Sequence, residues 1–470
     1  MNPKTLQNRS LSGLVLLCQR DSLALMVVAV VTYISLTGIV PLTYDEAANY
    51  QLFSSHGYAF VLTNYSLPNN HVLFTFLQSL LPGSMVDAAP RCLRIINSIT
   101  TAALTLVLSR VMQRTIDASG VLPTKYRALL GTAASIGVLF ASPLFIIYLF
   151  IARGYLLGSV ILFGSSLLAI KASRFSPHLL GIGVALAAWC VPTFAFAAPG
   201  LALAIFLTAH GSVASRFAKT VLSGVVCSAV LGLVYFPIIG QMQEQSDKWT
   251  KPLPFGGFTW SHLGLATSLA SSWAGALLLI STLVAVAFGL YRKGPTSLLR
   301  LALAMTAAAM SFYLVAEVLN ATGLCPAPFL RNALFIPPFI WTALFVAALA
   351  CANKPLTAAA FAILLANAGI NLSEFYSSFI RGDPNTFPTF SIQSATPFER
   401  AWKSLAAPEE QIYCGGNAIP VCQAYGPLVA RHVNFVREIP KMPCLQGHWP
   451  PSDETGVLVL RGDKAFRLCF

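Results

Sequence analysis

The stretch Ser22 to Leu42, "SLALMVVAVVTYISLTGIVPL", carries no charged side chain and runs straight into "TYDEAANYQL", Thr43 to Leu52. A helix needs about twenty apolar residues to cross a bilayer core. The run is too long for a signal peptide and lacks its cleavage pattern. It reads as an uncleaved first span with an Asp-Glu pair at its mouth.

The rest of the chain repeats this pattern. Of 470 residues 56% are hydrophobic and 10% are charged, too much apolar surface for one soluble core. Lys and Arg number 30 against 17 Asp and Glu, but they punctuate apolar segments instead of forming an aromatic-laced basic patch, so nucleic acid is not the expected partner. The basic residues recur at alternate gaps: Arg110, Arg114, Lys125 and Arg127; Lys171 and Arg174; Arg216 and Lys219; Arg292, Lys293 and Arg300; Lys354. By the positive-inside rule these gaps are cytoplasmic, as is the start of the chain with Lys4, Arg9 and Arg20.

Further spans are expected near 93–110, 128–149, 155–171, 178–195, 197–210, 219–237, 262–291, 299–318, 330–350 and 355–371. With the first run this predicts an all-α polytopic membrane protein of about eleven transmembrane helices, its C-terminus outside. Several spans are short or carry a proline at an end (Pro143, Pro192, Pro199, Pro237), which leaves 178–210 readable as a broken or re-entrant pair. The segment 71–82, "HVLFTFLQSLLP", is too short to cross and reads as an interfacial helix within a long first outer loop, 43–91.

From residue 372 the composition turns polar, with Pro and Gly turns. Residues 1–371 thus form the membrane domain and 372–470 a small C-terminal extracytoplasmic domain. Cys414, Cys422, Cys444 and Cys469 fall in it, an even number that predicts two disulfides of open connectivity in an oxidising compartment. Cys18, Cys92, Cys190, Cys227, Cys325 and Cys351 show no ligand spacing and read as buried apolar residues. No zinc motif, phosphate loop, nucleotide fingerprint or G-x-S-x-G appears, so an ATP-driven pump has no support and no metal is required.

Polar groups collect on the outer side: Tyr44, Asp45 and Glu46; Asn69, Asn70 and His71; Arg91 and Arg94 in "PRCLRIINS"; Arg153 and Tyr155 in "YLFIARGYLLGS"; and Arg331 in "CPAPFLRNALFIPPF". Ionisable groups at membrane depth are costly, so each is a functional candidate. Arginine offers planar bidentate donors to phosphate, and a carboxylate opposite can act as base on a hydroxyl. The plainer roles are a helix-capping acid for Asp45 and Glu46, snorkelling for Arg153 and Arg331, anchoring of the second span by Arg91 and Arg94, and a turn residue for His71. Lys248 and Lys251 read as solvated loop residues, Trp249 and Trp260 as an interfacial belt. Asn64, Asn320 and Asn371 each begin an N-x-S/T sequon on the expected outer side.

The order of these elements resembles the GT-C membrane glycosyltransferases, nearest the protein O-mannosyltransferase, aminoarabinose transferase and lipopolysaccharide glycosyltransferase group. The resemblance spans about residues 20–350. It departs from that pattern at His71-Val72-Leu73, where the group has His-Pro-Pro, and at Arg331-Asn332, where it has Arg-Tyr. It implies an inverting transfer of sugar from a polyprenyl-phosphate donor to a glycan, lipid or protein acceptor outside an inner (plasma) membrane. Asp45 would be the base, Glu46 would orient it or the acceptor, and Arg153 and Arg331 would hold the leaving phosphate. His71 and Tyr155 would be secondary contacts to phosphate or sugar. A transporter or flippase of an anionic lipid or solute is the alternative, but no repeated halves are visible and the charges cluster at one face. A non-catalytic carrier-binding relative is a third reading.

Overall fold

Apolar stretches too long for water, punctuated by Pro and Gly, become a series of helices in the computed structural model. It describes residues 22–37, 43–66, 70–120, 127–170, 177–208, 211–249, 254–264, 272–325, 328, 330–351 and 354–377, and the strand backbones at 411–415, 433–436, 456–461 and 464–468. The helices are α1 (Ser22–Thr37), α2 (Tyr44–Leu52), α3 (Tyr58–Thr63), α4 (Val72–Ser79), α5 (Gly83–Ala88), α6 (Ile95–Ser119), α7 (Arg127–Leu139), α8 (Pro143–Phe150) and α9 (Gly154–Ile170). There follow α10 (Pro177–Cys190), α11 (Ala198–Thr208), α12 (Val213–Tyr235), α13 (Ile239–Trp249), α14 (Gly257–Leu263), α15 (Ser272–Lys293), α16 (Ser297–Ala321), α17 (Ile336–Ala350) and α18 (Lys354–Phe375).

A helix lies under every expected span. Six are long and apolar enough to cross a membrane among the described residues, and α7 with α8 makes a seventh if that bent pair is one span. The stretches 24–36, 154–167, 177–190 and 192–207 are apolar but shorter. This is the helix set of a membrane protein. The chain is interrupted within 178–210, where α10 ends at Cys190, Val191 is extended and Pro192–Ala197 is a 3-10 turn before α11. A sharp break, 95°, also falls between α7 and α8, just ahead of Pro143. Carbonyls freed at such a break need donors in a dry environment. Asn367 and Asn371 of α18 supply them, donating to the carbonyls of Ala141 at 2.7 Å and Phe140 at 2.9 Å.

The chain divides into two compact units. One holds Met1–Thr32, Ser98–Leu149 and Gly154–Leu372; the other holds Tyr33–Asn97, Phe150–Arg153 and Ser373–Phe470. In the first, small residues let helix backbones approach, as is usual between membrane helices. Gly181 of α10 faces the backbone of Ser223 and Cys227 on α12, and Gly200 of α11 rests on the Ala307 carbonyl of α16. Phe194, Phe312, Phe335 and Phe339 interlock edge to face, with centroids 5.0 to 5.4 Å apart along the chain of contacts.

The C-terminal part adds a small sheet to the helical membrane domain. Four strands, β1 (Gln411–Gly415), β2 (Val433–Val436), β3 (Gly456–Arg461) and β4 (Lys464–Leu468), form one sheet in the order β2-β1-β3-β4. β1 and β2 run parallel, while β1 with β3 and β3 with β4 are antiparallel. The expected disulfides lie outside the described residues, as do Cys422, Cys444, Cys469 and the side chain of Cys414. Cys18, Asn69, Lys251 and the side chains of Lys248, Trp249 and Tyr44 are outside them too.

Among the other cysteines, Cys190, Cys227 and Cys351 are buried as expected, whereas Cys92 and Cys325 are half-buried. Two of the three sequons are closed to a glycan. Asn320 and Asn371 are buried within helices and spend their amide nitrogens on the carbonyls of Cys325 and Phe140.

Candidate functional site

The Asp-Glu pair opens α2, and the reason is local. Thr43 is the N-cap: its hydroxyl accepts from the Glu46 amide, and the Glu46 carboxylate accepts from the Thr43 amide at 2.9 Å, a capping box. Acids in a first turn also suit the helix dipole. Asp45 and Glu46 are adjacent on this turn, so their side chains leave it in different directions and meet different surroundings.

Glu46 is fully buried. Its Oε1 accepts from Arg94 Nε and from the Ala152 amide, both at 2.7 Å. Its Oε2 accepts from Arg94 Nη2 at 2.7 Å and from the Thr43 hydroxyl at 3.0 Å. Arg94, also fully buried, gives its remaining Nη1 to the Ser35 carbonyl at 3.2 Å. The result is a closed charge pair with its donors and acceptors matched. It ties α2 to the entrance of α6 and to the chain break between α8 and α9.

That break, Ile151–Arg153, is the second element of the site. Its free backbone groups are met from outside the helix: Ala152 donates to Glu46, and the Ile151 carbonyl accepts from Asn97 of α6. Non-helical backbone at such depth is tolerated only where partners are supplied. The break turns Arg153 toward α2, where Nη1 donates to the Asp45 carbonyl at 3.1 Å and Nη2 lies 3.7 Å from the Asp45 carboxylate. The Arg153 side chain is 1% exposed and that of Asp45 is 12% exposed, with the Oδ2 that faces Arg153 itself buried; the Asp45 side chain thus keeps a sliver of access that Glu46 lacks.

A third set of contacts fixes the floor of the first loop. Asn49 of α2 donates to Gln78 of α4 at 2.7 Å and accepts from Thr75 at 3.1 Å; Gln78 in turn donates to the Leu93 carbonyl at 3.4 Å. Asn70 donates to the carbonyls of Val61 and Asn64, closing the turn ahead of α4. His71 follows as the buried N-cap residue of α4.

The expected residues therefore divide. Asp45, Glu46, Arg153 and His71 share one unit, and the first three form one connected cluster. Tyr155 and Arg331 belong to the other unit: Tyr155 is buried in the first turn of α9, edge-on to Tyr148 with centroids 4.8 Å apart, and Arg331 is half-buried on a 3-10 turn, Leu330–Ala333, ahead of α17. Arg94, read as an anchor of the second span, is instead the counter-charge of Glu46. Among the described residues no three His, Cys, Asp or Glu side chains gather as metal ligands would. The cluster offers one chemically usable carboxylate, Asp45, beside one guanidinium, and a second carboxylate whose lone pairs are spent.

Comparison of the chain with protein-family models, with characterised proteins and with solved structures finds no match. The functional reading rests on the residues themselves.

Proposed function

We propose that the protein is an inverting glycosyltransferase that takes a sugar from a polyprenyl-phosphate donor and passes it to a hydroxyl on an outer-face glycan, lipid or protein. The observation that carries this reading is the Asp45–Arg153 pair: a carboxylate with residual access, next to a buried guanidinium, at the mouth of a membrane helix.

In this reading the chain crosses the inner (plasma) membrane about eleven times, the shorter helices included, with the N-terminus cytoplasmic and residues 372–470 outside. Asp45 takes the proton of the acceptor hydroxyl as that oxygen attacks the anomeric carbon and the glycosyl–phosphate bond breaks. Arg153 holds Asp45 in place and stabilises the phosphate as its charge grows, and His71 of the same unit is a further contact to phosphate or sugar. Glu46 serves through position, keeping Asp45 and Arg153 together by way of Arg94 and Ala152.

The test is transfer of a radiolabelled sugar from polyprenyl phosphate to a membrane acceptor extract by purified wild type and Asp45→Asn at equal expression. Activity in the wild type that is lost in the variant supports the enzyme and its base. Equal activity removes Asp45 from the chemistry. A folded wild type inert toward every donor tried moves the weight to a transporter or flippase of an anionic lipid.

A further inference from the structure

A second buried carboxyl group lies outside this cluster and has no part in the proposed reaction. Glu317 sits in the last turns of α16, 4% exposed, seventeen residues beyond Arg300. Its partners are two backbone amides of one segment: Gly256 donates to Oε2 at 2.9 Å and Thr259 to Oε1 at 2.5 Å. A buried carboxyl in a membrane helix that relies on two amides of a single loop is a strong attachment, because hydrogen bonds to an acid are charge-assisted and losing both strands a buried polar group.

Leu263 is the buried side chain at the far end of the segment, and the helix between is short. α14 is seven residues long, and isolated helices below about twelve residues are unstable in water. Its first turn has no cap of its own, since Gly256, at φ +88°, has no side chain. Glu317 takes that role from another helix. At the other end the Leu263 carbonyl rests on Gly275 of α15, where a Cβ would collide with it. Two of its aromatic side chains are exposed: Phe255 is 69% exposed and Trp260 is 43% exposed, the latter edge-on to Trp273 at 4.8 Å.

We infer that residues 254–264 are a strap across the ends of α15 and α16, that Glu317 is its latch, and that the strap opens as a unit when the latch lets go. Two attachments at its ends and an exposed aromatic face give it the construction of a local opening unit, separable from the helices it crosses. The inference does not depend on the sugar-transfer reading.

Hydrogen exchange followed by mass spectrometry on the full chain in lipid nanodiscs tests it. In wild type, amides in 254–264 exchange through local opening, well ahead of those in the middle of α16. In Glu317→Leu their exchange rises about ten- to a hundredfold, the loss expected for hydrogen bonds to a charged acceptor, while α16 stays protected. Glu317→Gln, which keeps one acceptor oxygen, falls between, and it carries the test if the leucine variant does not fold. Gly275→Ala releases the strap from its other end with Glu317 intact. Unchanged exchange of 254–264 in the glutamine variant overturns the latch; so does loss of protection throughout α15 to α17, which would make Glu317 a general support of the bundle.

Discussion

Arg94 clasps Glu46 with Nε and Nη2, each at 2.7 Å, and neither side chain touches solvent. Removing one member of such a pair leaves a buried charge without compensation, at a cost of about 3–5 kcal/mol, whereas replacing both with apolar groups costs far less. Arg94→Met and Glu46→Leu are each expected to lower the thermal midpoint in detergent sharply. The double variant should recover much of the loss. A double variant as unstable as the sum of the two would show that the pair does not act as one unit.

Arg153 offers a finer test of the site. Its fork reaches both the carbonyl and the carboxylate of Asp45, which the single ammonium of lysine cannot do. Arg153→Ala should lose transfer by roughly 10²–10³-fold, and Arg153→Lys should regain part of the kcat. Saturating donor in the assay separates loss of rate from loss of binding. A lysine variant no better than alanine would make geometry, and not charge, the requirement.

Gly200 tests the packing of the membrane helices. A Cβ there would drive into the Ala307 carbonyl of α16, and a backbone atom cannot rotate aside. Gly200→Val is expected to cost about 1–3 kcal/mol, the usual range for overpacking. Gly224→Val, at a position with open space around it, should leave the midpoint unchanged.

Cys325 reports on sidedness. It is half-buried beyond the end of α16, and burial pushes its thiol pKa above the ordinary value. The thiolate is the reacting form, so a raised pKa leaves less of it at neutral pH and alkylation should quicken steeply as the pH is raised. A membrane-impermeant maleimide applied to intact cells should mark Cys325 slowly at neutral pH and faster in alkaline buffer. Labelling only after the membrane is opened would place this loop inside and overturn the proposed topology.

The positions of the helices were legible in the sequence because apolar length and basic punctuation are local signals. Ser22–Thr37 lies within the first apolar run, and Ile95–Ser119 starts with the second and continues past its expected end at 110. The partnership of Arg94 with Glu46 was not legible, since it joins residues 48 apart and no local pattern marks it. One clue was in reach: Thr43 and Glu46 have the spacing of a capping box, which separates Glu46 from Asp45 in role. The tail's strands were also readable in part. "GVLVLRGDKAFRL", residues 456–468, places a Gly-Asp turn between two apolar-rich runs, a hairpin signal obscured by the prolines around it. The break between α7 and α8 was marked in the sequence by Pro143, but its partners were not. Its carbonyls are met by Asn367 and Asn371, more than two hundred residues later.

Glu46 also sets a timetable for the protein's birth. Its carboxylate needs Arg94, 48 residues on, and the amide of Ala152, 106 residues on. At about 5–20 residues per second, the ribosome takes roughly 5–20 s to supply the second of these. Until then the acid has no berth in a dry interior and must wait in water outside the bilayer. The first loop therefore stays undocked while the next helices are threaded in, and the contacts of Asp45 with Arg153 are completed only after the chain break at Ile151–Arg153 has emerged.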